Sequence, residues 1–270
     1  MADISVCLEP FFPELTFEGK LKKISELGFK SYEFWFHNKT FTNDGLIDEM
    51  KDFDRIADLN EKYGLATNDF VLNHSDGGIV ASLMCLEDRQ KILDQLDEMI
   101  VLAKKIGCTR FISGSGNVIP GLPADEACDI MVESLSQIGT ICENNSMEIL
   151  LEPFNTFVDH PKEFLNNPEM TVDILKKAGK DNVKFLFDIY HMQIMHGNIL
   201  DFIKDNLSYI NHFHIAGVPG RKEPIDTELN YPYIIRQIEA MGYSGSFGLE
   251  YWPTGDSEES LRSTLKHLNG

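Results

Sequence analysis

The fold is decided by the stretch QKILDQLDEMIVLAKKIGCTRFISG, residues 90–114, which contains the clearest helix and strand of the chain. Gly107 is placed as a helix stop, and the apolar run 110–114 after it predicts a strand. A helix that leads into a strand in this way is typical of parallel α/β proteins. The helix itself is predicted by apolar residues at the spacing of one helix face, namely Ile92, Leu93, Leu96, Met99, Ile100, Ala103 and Ile106.

The same unit recurs along the whole chain. Longer amphipathic stretches predict helices at about 18–28 and 124–144, and residues 255–270 would form the last helix. Eight units in 270 residues favour the α/β class and a closed (β/α)₈ TIM barrel, as a single domain over residues 1–270. An open dinucleotide-binding sheet is disfavoured because no Gly-x-Gly-x-x-Gly follows the first strand. The strands are predicted from short apolar runs at residues 4–8, 32–36, 66–73, 110–114, 148–153, 183–188, 210–216 and 246–251.

Composition limits the class of partner. The formal net charge of −19 argues against nucleic acid and against an anionic membrane surface, because both would repel the chain. Five cysteines without close pairing favour a reducing compartment. The first residues lack the pattern of a signal peptide, and no apolar stretch reaches membrane-spanning length. We therefore expect a cytoplasmic protein with a small-molecule substrate, and a homo-oligomer is left open.

Four side chains of metal-ligand type interrupt apolar runs at the ends of the last four predicted strands: Glu152, Asp188, His214 and Glu250. Active sites of TIM barrels lie at the carboxyl ends of the strands, so these side chains are expected to meet. A shared divalent cation would compensate for the hydration that buried carboxylates lose. The oxygen-rich set favours Mg²⁺ or Mn²⁺, with Co²⁺ or Zn²⁺ as alternatives. His212 should lie one layer deeper and be structural.

The alternative interpretation is that each of these residues is satisfied separately. A strand-end acid can cap the following helix or pair with an arginine, and a core histidine can be hydrogen-bonded without a metal. Four such residues on four successive strand ends favour the shared site over four separate explanations.

Five motifs in the second half of the chain resemble the hydroxypyruvate isomerase family, within the xylose isomerase-like TIM barrels. They are LEPFN (151–155), DIYHMQIM (188–195), VPGR (218–221), ELNY (228–231) and GLEY (248–251). The resemblance covers the whole chain and is sharpest from residue 148 to residue 253. It implies one divalent metal bound by Glu152, Asp188, His214 and Glu250.

The resemblance also implies that His191 and Arg221 bind the oxygens of the substrate beside the metal. The planar guanidinium of Arg221 suits a carboxylate. The alternatives are a surface-loop role for Arg221 and a helix-capping role for His191. Aromatic residues at Trp35, Tyr251 and Trp252 could exclude water from the substrate or only pack at the barrel rim.

The implied reaction converts hydroxypyruvate, or a close 2-oxo acid, to tartronate semialdehyde or its equivalent by proton transfer through an enediolate. We expect Glu152 and Glu250 to be the acid and base and also metal ligands, with Asp188 and His214 as ligands only. A ketose 3-epimerase of the tagatose or psicose type is the first alternative. His214 favours it, because hydroxypyruvate isomerases often have Gln there. Val158 disfavours it, because the epimerases have an additional acid at this point.

Two further alternatives come from other classes. An endonuclease with three zinc ions would need more histidine ligands and a cationic groove, which the net charge of −19 disfavours. A non-catalytic barrel that binds a metal or a sugar is compatible with the same residues, although the glutamate pair favours an enzyme.

Overall fold

The predicted barrel is present in the computed structural model, which describes residues 3–42 and 45–269. Within these residues eight parallel strands close a barrel in the order β1-β10-β9-β8-β7-β6-β5-β2. Each strand begins within one residue of its predicted start, and the alternating α/β class is confirmed. The barrel strands are β1 (Asp3–Cys7), β2 (Ser31–Phe34), β5 (Ala66–Asn73), β6 (Arg110–Gly114), β7 (Glu148–Glu152), β8 (Val183–Asp188), β9 (Ile210–Ile215) and β10 (Ser246–Leu249).

Two more strands lie outside the barrel. β3 (His37–Thr42) and β4 (Gly45–Met50) pair with each other in an antiparallel sheet between β2 and the second helix. The sequence interpretation did not include this sheet.

Helices surround the barrel, and the predicted ones are observed. The first helix begins after Thr16, whose hydroxyl accepts a hydrogen bond from the Gly19 N–H. The last helix is observed up to Leu268, and residue 270 of its predicted range lies outside the described residues. The helices are α1 (Phe17–Glu26), α2 (Phe53–Tyr63), α3 (Leu86–Lys105), α4 (Ala124–Asn144), α5 (Pro168–Ala178), α6 (Ile189–Met195), α7 (Ile199–Asn206), α8 (Tyr231–Ala240) and α9 (Ser257–Leu268). In the part of the chain that the structure describes, no helix is both long and apolar enough to cross a membrane.

The apolar side chains form two separate clusters, one inside the barrel and one outside it. Strands β5 to β8 contribute a small aliphatic cluster of Val71, Ile112, Leu150 and Leu186, against which Trp35 packs. The large apolar core lies separately, between the sheet and the surrounding helices. Side chains alternate between the two sides of each strand, so residues two positions apart point the same way. Glu152 therefore points inward like Leu150, and Asp188 points inward like Leu186. This places two predicted ligands above the aliphatic cluster.

Candidate metal centre and active site

The four predicted ligands meet at the carboxyl end of the barrel. Each offers one ligand atom, and these atoms all lie within 4.8 Å of one another. Glu152, Asp188 and His214 lie on β7, β8 and β9, and Glu250 directly follows β10. These four strands are consecutive in the barrel, so the two glutamates are the outer pair. All four side chains are buried, with exposed fractions of 4% for Glu152, 0% for Asp188, 2% for His214 and 8% for Glu250.

The observation that most favours a cation site is a set of buried polar atoms without hydrogen bonds. Glu152 Oε1, Asp188 Oδ2 and His214 Nδ1 have no hydrogen-bond partner among the described residues. His214 Nδ1 lies 3.2 Å from Glu250 Oε2 and 3.7 Å from Glu152 Oε1, so these atoms face a common point. Buried polar atoms are nearly always satisfied, and each one left without a partner costs about 1–3 kcal/mol. One divalent cation among these atoms would satisfy all of them, so the residues fit such an ion.

Burial and the neighbouring charges together shift the pKa of each ligand-type side chain in the cluster. Burial, with the charges of Glu250 and Asp188, raises the pKa of Glu152 to about 7. Burial also raises the pKa of Asp188. For Glu250 the effect of burial is outweighed by the Arg221 guanidinium and by His214, which hold its pKa well below the usual range. Burial disfavours a charged His214, but the carboxylates of Glu33 and Glu250 raise its pKa well above the usual value.

Asp188 divides its two oxygens between two tasks. Oδ1 accepts hydrogen bonds from the Tyr190 N–H at 2.8 Å and from the His191 N–H at 3.3 Å, which makes Asp188 the N-cap of α6. Oδ2 faces the ligand cluster. Capping and metal binding are alternatives in the sequence-based expectation for Asp188, whereas the geometry allows both. It also removes the capping interpretation of His191, because Asp188 is the cap.

His191 is held with its Nε2 atom toward the cluster. Asn155 Oδ1 accepts hydrogen bonds from the Val158 and Asp159 N–H groups, so its Nδ2 must be the donor to His191 Nδ1 at 2.7 Å. The ring proton therefore lies on Nε2, which is 3.3 Å from Asp188 Oδ2. Burial and the nearby Arg221 hold the pKa of His191 well below its usual value, so the ring is neutral at pH 7.

Arg221 reaches into the site and is not a surface-loop residue. Its side chain is 14% exposed and lies over the Tyr190 ring, with 5.5 Å between the guanidinium carbon and the ring centroid. Nη2 is 2.5 Å from Glu250 Oε2 and 3.7 Å from Asp188 Oδ2. The guanidinium thus pairs with two of the predicted ligands, and its Nε has no hydrogen-bond partner among the described residues. Sequence reasoning anticipated its presence in the site but not this pairing.

The three aromatic residues expected near the barrel mouth, Trp35, Tyr251 and Trp252, lie in different environments. Trp35 lines the cavity above the ligands and donates from Nε1 to Glu250 Oε1 at 3.4 Å. Trp252 packs edge-on against Trp35, with 6.5 Å between ring centroids, and is half exposed. Tyr251 instead points into the core, where its hydroxyl is hydrogen-bonded to Ser260 and Thr264. The packing interpretation therefore applies to Tyr251, while Trp35 contacts the site.

Two cavities adjoin at the barrel mouth. The first has a volume of about 60 Å³ and is lined by the predicted ligands Glu152, His214 and Glu250, by Arg221 and by Trp35, among others. The second has a volume of about 550 Å³ and shares two lining residues with the first, His74 and His160. Sequence reasoning missed both histidines, because neither lies in a motif and only the fold brings them to the site.

A buried carboxylate below the ligands was also missed. His212 lies beneath His214, as expected, with 5.1 Å between the ring centroids, and its Nε2 is 3.1 Å from Glu33 Oε1. Glu33 interrupts the apolar run Tyr32-Glu33-Phe34, which is the same signal that identified the four ligands. It was not recognised because its contacts with the histidines span about 180 residues of sequence.

Comparisons with known proteins agree with this architecture. The family model described as xylose isomerase-like TIM barrel matches residues 21–269. A hydroxypyruvate isomerase of Escherichia coli is 28% identical over 269 residues, which is 97% of this chain and 98% of that protein. A 2-oxo-tetronate isomerase of Cupriavidus necator is 38% identical over 130 residues, about half of each protein (48% and 50%).

A solved structure gives the same result for the fold. The crystal structure of a family 2 AP endonuclease from Brucella melitensis has a TM-score of 0.86 and 27% identity, covering 98% of this chain and 99% of that one. The relatives confirm the resemblance to hydroxypyruvate isomerases and the prediction of an isomerase. With a matching family model over nearly its whole length, the chain belongs to the xylose isomerase-like TIM barrel family.

Proposed function

We propose that the chain isomerises a small hydroxy-carbonyl compound with one divalent metal ion held by Glu152, Asp188, His214 and Glu250. The observation that carries this proposal is the convergence of buried ligand atoms that lack hydrogen bonds. Three carboxylates and one imidazole make a set that suits Mg²⁺ or Mn²⁺. When bound, the ion supplies a Lewis acid that polarises the carbonyl and stabilises negative charge on the substrate oxygens.

The two glutamates are proposed as the acid and base. A proton on the carbon beside a carbonyl must be removed and then returned to the neighbouring carbon, which requires two groups at suitable positions. Glu152 and Glu250 are the outer members of the ligand arc, separated by β8 and β9, so a substrate above the arc lies between them. Asp188 and His214 have no part in proton transfer in this proposal.

His191 and Arg221 are proposed to bind the substrate. His191 carries its proton on Nε2, which faces the cluster and has no hydrogen-bond partner among the described residues, so it can donate to a substrate oxygen. Arg221 supplies a permanent positive charge beside the ligand cluster, and a substrate carboxylate can accept hydrogen bonds from its remaining N–H groups.

Hydroxypyruvate is the proposed substrate, with a four-carbon 2-oxo acid as a close second. The cavity of about 60 Å³ above the ligands favours a small compound, and the named relatives act on substrates of this kind. A ketose 3-epimerase is supported less well. The position where the epimerases have an additional acid is Val158, which is 63% exposed.

The experiment is a metal-dependent exchange assay. The protein is stripped with a chelator and reloaded with Mg²⁺, Mn²⁺, Co²⁺ or Zn²⁺, and deuterium uptake from solvent into hydroxypyruvate, a 2-oxo-tetronate and several ketoses is followed by NMR. We expect exchange into a 2-oxo acid only when metal is present. Exchange into a ketose at C3 alone would support the epimerase, and the absence of exchange with every compound would refute the proposal.

Substitution of the glutamates tests their roles. Glu152→Gln and Glu250→Gln should each lower turnover by at least about 10²-fold, the contribution of a general acid or base, while the fold, followed by circular dichroism, is unchanged. Glu163→Gln is the matched control, because Glu163 is a buried glutamate near the mouth that lies outside the ligand cluster. If either ligand variant kept most of its activity, the assignment would be wrong.

A further inference from the structure

The two ring nitrogens of His214 face different groups. Nδ1 faces Glu152 and Glu250 in the ligand cluster. Nε2 is 2.7 Å from Glu33 Oε2, on the opposite side of the ring. A histidine binds a metal through an unprotonated nitrogen, so a neutral His214 must carry its proton on Nε2 to present Nδ1. The hydrogen bond to Glu33 selects this arrangement, because a carboxylate can only accept.

Glu33 reaches His214 from a strand that is not its neighbour. It lies on β2, and β1 and β10 separate that strand from β9 in the barrel. The Glu33 side chain passes over Gly248, which is paired with His214 in the sheet. A Cβ atom at Gly248 would lie 2.5 Å from Glu33 Oε1 and 2.8 Å from His214 Cδ2. Glycine at this position therefore leaves the space that the contact between Glu33 and His214 occupies.

The second carboxylate oxygen of Glu33, Oε1, also has hydrogen-bond partners. This atom is 3.1 Å from His212 Nε2 and 3.4 Å from Asn68 Nδ2. The side chain is 1% exposed. Because donors contact both oxygens, the carboxylate cannot rotate without losing one of these contacts.

We propose that Glu33 is a positioning residue that holds His214 with Nδ1 toward the metal, and that Gly248 provides the space for it. This inference rests on the proposed metal centre. Carboxylates that accept a hydrogen bond from the second nitrogen of a metal-binding histidine commonly change metal affinity by about 10–100-fold when they are removed. Glu33 is not one of the four proposed metal ligands, and its proposed effect on the metal is exerted through His214.

The first test measures Mn²⁺ affinity by calorimetry in three proteins: the wild type, Glu33→Gln and Glu33→Asp. The aspartate keeps the negative charge but shortens the reach, so it separates charge from contact. We expect both variants to bind Mn²⁺ about 10–100-fold more weakly. Affinity at the wild-type level in Glu33→Asp, with a loss only in Glu33→Gln, would overturn the positioning role in favour of simple charge. Wild-type affinity in both would overturn the inference entirely.

One control variant, together with the wild type, separates a specific role of Glu33 from a general effect of buried charge. Asp69→Asn removes another buried acid near His212 that does not contact His214, and it should bind Mn²⁺ as tightly as the wild type. Loss of affinity in this control equal to that of the Glu33 variants would count against a specific role for Glu33. If the wild type itself bound no Mn²⁺, the proposed metal centre would fail together with this inference, whereas binding unaffected by the Glu33 variants would remove only the inference.

A second test locates the ring proton of His214 directly in the wild-type protein. In the Mg²⁺-loaded enzyme labelled with ¹⁵N-histidine, long-range nitrogen–proton spectra distinguish the two ring nitrogens, and His214→Gln assigns the signal. We expect a protonated Nε2 and an unprotonated Nδ1 that shifts when the metal is added. An unprotonated Nε2 on His214 would overturn the proposal.

Discussion

Substitution of Asp188 should separate the two tasks of its carboxylate. Asp188→Asn keeps an oxygen that can cap α6 but removes the charged ligand, and Asp188→Ala removes both. The cap oxygen accepts from two buried N–H groups, those of Tyr190 and His191. Loss of an N-cap costs about 0.5–2 kcal/mol, and a buried N–H left without a partner adds about 1–3 kcal/mol. We therefore expect Asp188→Ala to be about 2–3 kcal/mol less stable than Asp188→Asn.

The assay combines unfolding with metal titration. Urea unfolding in the presence of a chelator measures the free energy of unfolding without the metal, and Mn²⁺ titration measures the loss of the ligand. Both variants should bind Mn²⁺ much more weakly than the wild type, by similar factors, although their stabilities differ. Equal stability of the two variants would refute the capping role, and an undiminished affinity in Asp188→Asn would refute the ligand role.

Three further predictions concern the metal, the pH and the packing. Metal at 100 times its dissociation constant should stabilise the stripped protein by about 2.7 kcal/mol and raise its Tm by roughly 5–10 °C, and a scanning calorimeter that recorded no shift would contradict this. Burial alone would lower the pKa of His74. Contacts with Asp76 and Glu163 outweigh this effect and raise the pKa to about 9, above the unfolded value of about 6.5. The resulting stabilisation, roughly 3 kcal/mol, should be present below pH 6.5 and lost as the pH rises through 9, so unfolding of His74→Gln should depend less on pH over this range. Tyr251→Phe should lower the free energy of unfolding by about 1–2 kcal/mol without changing Mn²⁺ affinity, since its hydroxyl is bonded in the core, and a change of affinity would show that the residue acts on the site.

The sequence predicted the barrel because its signals are local and repeated. Each strand is a short apolar run, and each amphipathic stretch presents one face to the sheet. The four proposed ligands could be singled out because a charge at the end of a buried strand is costly, and because the carboxyl ends of a barrel's strands meet at one face. Glu152 lies on the same strand as Leu150, and Asp188 lies on the same strand as Leu186. The alternation that points the two leucines into the barrel also points the two acids into it.

The remaining features depend on contacts between distant parts of the chain. The pairing of Arg221 with Glu250 spans 29 residues, and that of Glu33 with His214 spans 181. No local pattern marks such partners, because the register of strands around the barrel determines them. Gly248 is a clear example, since its importance becomes visible only when the space above it is seen to be filled by a side chain from another strand.

Anomalous diffraction from a crystal grown with Mn²⁺ shows directly whether one divalent ion is bound by the four side chains. We expect a single strong peak at the carboxyl end of the barrel, in contact with Glu152, Asp188 Oδ2, His214 Nδ1 and Glu250. Arg221 should have moved away from Glu250 enough to leave that oxygen to the metal. A crystal with Mn²⁺ in excess but no peak among these four side chains, or a peak bound by a different set, would contradict the account.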